Sequence, residues 1–292
     1  MTLTPNSPSS PSVWTRLADP VTGICSRKNL DVTSILLVAH PDDETIGASA
    51  CMGRLRNRTV VFLTDGAPRD PALRSPRATG SRARYARMRH DEAIAALALA
   101  GVTPDRILFL GGVDQEAVHE VAILAERFAS LMPQIQPDII ITHAYEGGHP
   151  DHDAAALIAT LSKKMVAREN KTAPEVLEMT SYHLRDGQCV TGEFLPLAGG
   201  QGFGEEELTL QLSSEERARK EQMLGAYVSQ ELVLAAFALG PERLRPAPQY
   251  DFTSPPHPGK LWYESLGWPM TGERWREIAA SARADFAENS CA

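Results

Sequence analysis

Residues 34–39, Ser34-Ile35-Leu36-Leu37-Val38-Ala39, run straight into His40-Pro41-Asp42-Asp43-Glu44. A nearly continuous apolar run of this length reads as a strand buried on both faces, the habit of parallel sheets. Three more runs share it: 59–64 (TVVFLT), 106–110 (RILFL) and 138–142 (DIIIT). A fifth strand is expected over 176–183. Helical patterns fill the gaps at 44–55, 82–100, 116–132 and 153–167, and Gly101 is placed to end the second as a C-cap. Strands alternating with helices of these lengths make βαβ units, so the expected class is α/β, a doubly wound, mostly parallel sheet with helices on both faces.

Outside that alternation the pattern is weaker. Residues 1–30 read as an N-terminal extension, partly disordered, because residues 1–12 are rich in Ser, Pro, Thr and Asn. Residues 31–292 read as a single α/β domain in which 184–292 is a C-terminal elaboration. In that elaboration 213–229 is expected to be helical, with Ser213 or Ser214 as its cap, and 274–288 to be a closing helix. The Pro-rich stretch 241–260 is expected to lack regular structure.

Composition narrows the function classes. The 292 residues carry 29 Lys and Arg against 37 Asp and Glu, a net charge of −8, which argues against a nucleic-acid partner. No apolar run reaches the roughly 18 residues of a membrane span, and the first residues lack the features of a signal peptide. Four scattered cysteines form no CxxC pair, so a reducing cytoplasm is the simplest expectation. No G-x-S-x-G elbow or Gly-rich phosphate loop follows a strand. The sequence leaves homo-oligomerisation open.

The chemistry gathers at strand ends. The four runs end in His40-Pro41-Asp42-Asp43-Glu44, Asp65-Gly66, Gly111-Gly112-Val113-Asp114 and His143 through His152. In an open parallel sheet these ends border the ligand crevice. Acidic residues at 43 and 44 also suit a helix N-terminus, but that does not explain His40. His149-Pro150-Asp151-His152 repeats the His-Pro-Asp tripeptide after another strand, with Gly147-Gly148 allowing close backbone approach. His40 and Asp43, three apart, can converge on one ion while Asp42 points elsewhere. A His pair at 149 and 152 suits one ligand plus one catalytic or supporting group. Two His nitrogens and one carboxylate are a catalytic zinc set with a position open for water. A bound Zn²⁺ brings the water pKa to about 7, and a non-ligand carboxylate, Asp42, can take its proton. A protonated His149 is the candidate for stabilising the oxyanion or protonating the leaving amine.

The pairing of AHPDDE after the first strand with GGHPDHDA after the fourth closely resembles the PIG-L/LmbE-like superfamily of metal-dependent de-N-acetylases, over roughly residues 33–185. The resemblance implies a Rossmann-like fold, Zn²⁺ held by His40, Asp43 and His152, Asp42 as general base and His149 as oxyanion stabiliser or general acid. Arg89-x-x-Glu92 and Val113-Asp114 resemble family elements, which implies Arg89 and Asp114 as substrate contacts. Some members carry a Tyr where this chain has Gly147, leaving open whether Tyr145 assists the oxyanion. Trp262, Tyr263 and Trp268 could line a sugar site, though a core role is the simpler expectation for aromatics.

The expected function is therefore zinc-dependent removal of an N-acetyl group from an N-acetylglucosamine-type conjugate, releasing acetate and a free amine. The donor set also accepts Fe²⁺ or Co²⁺. The alternatives are a metal-dependent amidase on a non-sugar amide, and an inactive carbohydrate- or metal-binding homologue.

Overall fold

The computed structural model describes residues 11–26, 29–168, 172–196 and 207–288. The expected disorder of residues 1–12 falls largely outside them. In chain order the elements are α1 Val13–Ala18, β1 Leu30–Val38, α2 Asp43–Arg54, β2 Leu55–Thr64, α3 Arg82–Leu99, β3 Ile107–Gly112, α4 Val121–Ala129, α5 Met132–Ile135, β4 Ile139–His143, α6 Pro150–Arg168, β5 Glu175–Met179, β6 Tyr182–Arg185, β7 Gln188–Thr191, β8 Leu208–Leu210, α7 Ser214–Ala226, α8 Glu231–Leu234, β9 Glu242–Pro246, α9 Trp262–Ser265 and α10 Gly272–Glu288.

Seven strands form one sheet in the order β3-β2-β1-β4-β5-β9-β8. The first five are parallel, and β9 and β8 close the far edge antiparallel. Successive strands step one way from β1 through β2 to β3, then the chain returns to place β4 on the other side of β1. The β1/β4 boundary is thus the topological switch point, where ligands of such sheets bind. Both His-Pro-Asp segments leave the sheet there.

The apolar runs are two-sided, as their composition requires. Ile35 and Leu37 of β1 join one core layer with α4, α6 and α10, while Leu36 and Val38 join the other with α2, α3 and α7. Gly101, at φ +73°, closes α3, its N–H donating to the Ala98 carbonyl. Ser213 caps α7 in a reciprocal box with Glu216.

Three expectations need correction. The fifth strand does not run through 176–183. It stops at Met179, and β6 starts a separate hairpin with β7 around Asp186-Gly187, both at positive φ. The stretch 241–260 is not wholly irregular, because β9 lies inside it. And within the expected N-terminal extension, α1 is tied down by its Val13 and Trp14 N–H groups donating to the Glu175 carboxylate, so that Leu17 and Ile24 join the core.

β9 has a second job. Helix α2 breaks at Ala48 (φ −145°, ψ 21°), which costs it the bond from Ala50 N–H to the Ile46 carbonyl. Ala50 N–H donates instead to Glu242 (2.9 Å), and Lys220 donates to the Ile46 carbonyl (2.7 Å). Glu242 and Lys220 are themselves paired at 3.1 Å. One buried ion pair thus replaces the missing helix bond, and leaving either backbone group unpaired in this dry site would cost about 1–3 kcal/mol.

The layer that carries the second His-Pro-Asp helix rests on α4. Phe128 there is fully buried, whereas Ile123 on the same helix is 45% exposed. Phe128→Ala should lose about 3–5 kcal/mol of stability in denaturant titration. Ile123→Ala should stay within about 0.5 kcal/mol. Equal losses would place α4 elsewhere.

Candidate active site

Asp43 opens α2 with its carboxylate turned back, accepting the His40 backbone N–H at 2.8 Å. One of its oxygens lies 3.3 Å from His40 Nδ1 and the other 3.1 Å from His152 Nε2. Asp43 therefore stands between the two imidazoles expected to share an ion with it. The tightest donor groups, each within 4.8 Å, divide the cluster otherwise: His40 with His149 and His152; Asp43 with His143 and His152; His40 with Asp114, His149 and Asp151. His152 is common to the first two, and Asp43 reaches it at 3.1 Å.

The other nitrogen of His40, Nε2, faces Asp151 at 3.1 Å and Asp114 at 3.2 Å. Burial works against charge on this ring, but Asp114, Asp151 and Asp43 outweigh it and hold its pKa well above the ordinary imidazole value. So much negative charge around one ring calls for a cation. A divalent ion fits the residues present: His152 Nε2 is buried without a hydrogen-bond partner, while its Nδ1 lies 3.3 Å from the Ser181 hydroxyl. With Nδ1 donating to Ser181, Nε2 would offer its lone pair to an ion beside the Asp43 carboxylate.

Asp42 takes a different position, at φ +124°. Such backbone is strained for any side chain bearing Cβ, and is kept only where the surroundings over-determine it. Here Glu44 accepts the Asp42 N–H at 3.0 Å, and Arg89 grips both the Pro41 carbonyl and the Asp42 carboxylate, the latter at 2.9 Å. Gly66, at φ +61°, makes room: a Cβ there would lie 2.9 Å from Pro41 and 3.0 Å from Arg89. Burial pushes the Asp42 carboxyl up to about 7, with Arg89 opposing.

Arg89, expected to meet substrate, is corrected by this geometry: it is 2% exposed and its guanidinium is spent on the Asp42 turn. Its partner Glu92 accepts both the N–H and the hydroxyl of Ser229 at 2.7 Å. The R-x-x-E element thus ties α3 to residues 228–230 and, through Arg89, to the Asp42 turn. Asp114 does reach the cleft, against His40.

His149 lies edge-on to His40, centroids 4.4 Å apart. Its Nδ1 accepts the Asp151 N–H at 3.0 Å, so its proton belongs on Nε2, which the Gln115 side-chain amide, 2.9 Å away, bonds only when it turns its oxygen to the ring. Burial, reinforced by His40 and His152, holds its pKa well below the ordinary value. Burial therefore works against the protonated His149 expected from the sequence and favours a neutral ring. Tyr145 does not join it, since its hydroxyl donates to the Ser254 carbonyl and its ring packs on Phe252 and Trp275. Tyr263 is likewise core, whereas Trp268 lies edge-on to His149 at 4.9 Å and lines the cleft.

Sequence reasoning left several participants without a role. Asp151 accepts from the Gln115 and Ala117 N–H groups while touching His40, and so joins the loops after β3, β1 and β4. Its place inside the second His-Pro-Asp was the available signal. His143 accepts the Ala39 N–H and stacks on His152 at 3.9 Å, its pKa driven to about 4 by burial. Gly148, by contrast, makes the close approach expected of it, letting the chain pass Tyr182, whose carbonyl would sit 1.9 Å from a Cβ.

Residues 35–162 match the family described as PIG-L: GlcNAc-PI de-N-acetylase. A 1D-myo-inositol 2-acetamido-2-deoxy-alpha-D-glucopyranoside deacetylase of a Nocardioides species is 29% identical over 170 residues, 47% of this chain and 55% of that protein. A second, from Catenulispora acidiphila, is 30% identical over 159 residues, 46% of this chain and 52% of that protein. The chain spans about half the length of these curated relatives. Among solved structures, N,N'-diacetylchitobiose deacetylase from Pyrococcus horikoshii aligns with a TM-score of 0.55 at 15% identity, covering 80% of this chain and 88% of that one. The A40926 pseudoaglycone deacetylase Dbv21 gives 0.54 at 20%, covering 76% and 99%. At these identities the two structures speak to the fold, which is shared.

If Arg89 is what keeps Asp42 ionised, activity that needs Asp42 as a base is lost as pH falls through its pKa. Arg89→Met removes the opposing charge, so the acid limb of kcat/KM should move to higher pH. An unmoved limb would mean that the ion pair does not govern the titration.

Proposed function

We propose that this chain, a member of the PIG-L/LmbE-like superfamily through residues 35–162, is a zinc-dependent hydrolase that removes the N-acetyl group from an N-acetylglucosamine-type conjugate. The observation that carries the reading is the meeting of both His-Pro-Asp segments at the β1/β4 switch point, with Asp43 between His40 and His152. His40, Asp43 and His152 would hold the ion. Their two nitrogens and one carboxylate favour zinc and also admit Fe²⁺ or Co²⁺. When bound, the ion supplies Lewis-acid activation of the attacking water and the acetamide carbonyl.

The remaining steps belong to the chain's own residues. Asp42 takes the proton of the attacking water as the oxygen bonds to the acetamide carbon. The Nε2–H of His149 donates to the carbonyl oxygen as negative charge gathers there. Asp42 returns its proton to the sugar nitrogen as the C–N bond breaks, leaving acetate and a free amine. Asp114 and Trp268, at the mouth of the cluster, are placed to meet the sugar ring. Arg89 and Asp151 hold Asp42 and His40 in position. No helix among the described residues is long and apolar enough to cross a membrane, and the unpaired cysteines at 25, 51 and 189 suit a reducing cytoplasm.

Metal content and acetate release, measured on wild type, Asp43→Ala and Asp42→Asn purified side by side, test the assignment. Wild type should carry about one zinc per chain. Asp43→Ala should lose the metal, while Asp42→Asn should keep it and lose on the order of 10²–10⁴ in kcat. Equal metal loss in both variants would reverse the carboxylate roles. Acetate release from non-sugar amides alone would replace the sugar reading with a general amidase.

A further inference from the structure

The cleft over the cluster has two kinds of wall. Its floor is the polar cluster. The rest of the lining includes Ile46, Pro68, Leu73, Val233, Leu234 and Phe237, so the same cavity, partly open to solvent, has an apolar arm beside the polar cluster. The arm is continuous with the floor along rings: His152 meets Tyr182 at 5.1 Å, and Tyr182 meets Phe237 at 5.7 Å. At its outer end Val233 is 58% exposed, and Val228 and Leu232 beside it are 48% and 77% exposed. Apolar side chains gathered at a cleft mouth mark a binding surface more often than scattered ones do.

Charge narrows the occupant. Among the described residues that line the cleft the only Lys or Arg is Arg89, buried and held by Asp42. Four arginines of the neighbouring loop and helix are also committed, Arg69 to Glu116, Arg74 to the Pro68 and Arg69 carbonyls, Arg77 to Glu231 and Arg82 to Asp65, while Arg84 and Arg87 of α3 are not part of the lining. The lining carries Asp42, Asp43 and Asp114 instead. Away from the ion site at the floor, a phosphate would meet no free Lys or Arg of the lining, and the lining carboxylates would repel it.

We infer that the arm is a subsite for an uncharged apolar aglycone on the amino sugar, such as an alkyl or aryl group; the inference rests on the deacetylase reading for the sugar. The reacting acetamide occupies the polar floor, and the group that continues outward past Phe237 and Val233 is the aglycone.

Calorimetric titration of zinc-loaded protein with methyl and octyl glycosides of N-acetylglucosamine, with N-acetylglucosamine 1-phosphate and with N-octanoylglucosamine tests this, with acetate release followed in parallel. The octyl glycoside should bind at least about tenfold tighter than the methyl one, since each buried methylene contributes and the arm is partly open. The 1-phosphate should bind weakest. Val233→Asp should erase the octyl-to-methyl ratio, while Leu99→Asp, at a 44% exposed apolar position on α3, should retain it. Equal affinities, a ratio lost in both variants, or tightest binding by the phosphate would each overturn the subsite. So would a Val233-dependent gain for N-octanoylglucosamine alone, which would assign the arm to the acyl chain. A dimer in light scattering that Val233→Asp dissociates would assign the patch to a second copy and overturn the inference as well. Tight, Val233-dependent octyl binding without acetate release would uphold the subsite and sink the deacetylase reading.

Discussion

The ring of His40 is the point on which the rest of the site hangs. Asp43 addresses one of its nitrogens, and Asp151 and Asp114 the other. The three carboxylates come from the loops after β1, β4 and β3. Each loop would otherwise be a separate surface excursion, free to move. Bound to one imidazole they become a single wall, and the charge they concentrate makes that wall a place for a cation. Carboxylates that contact a ligand histidine's second nitrogen orient it and raise its basicity, so the same contacts that fix the loops prepare the ring.

The strain at Asp42 belongs to the same design. Glu44 and Arg89 hold the turn in a backbone conformation that Asp seldom adopts, which separates two adjacent carboxylates by function. Asp43 faces the imidazoles, while Asp42 faces the cleft with its acidity set by burial against Arg89. Two chemically identical neighbours thus acquire different tasks from their surroundings alone.

Much of this was legible in the sequence. Four of the parallel strands were, because each is a nearly continuous apolar run, including β3 at the sheet edge. The paired motifs were too, because His-Pro-Asp at two strand ends has few structural explanations. What escaped depends on partners far along the chain. β9 was hidden by Glu242, Arg243 and Arg245, charges that look like loop but find Ala50, Glu207 and Glu178 in the fold. The break after Met179 was invisible because Tyr182 leaves the β5 ladder to line the cleft, although Asp186-Gly187 is an ordinary hairpin signal. Arg89 read as a substrate contact because nothing local reveals that Asp42, 47 positions away, claims it. Gln115, at φ +74° beside His149, carries no local signal at all.

The ion pair of Glu242 and Lys220 bears on how portable this chemistry is. The segment that matches the family ends at residue 162, yet the helix that carries Asp43 is completed by residues 220 and 242, and the Asp42 turn is braced through Tyr227 and Ser229. The recognisable motif block is therefore not a module that could be grafted or inherited alone. Substitutions in the last third reach the cluster through the spine of α2, so that divergence there is bounded by the helix that carries Asp43 even where no residue touches the cluster.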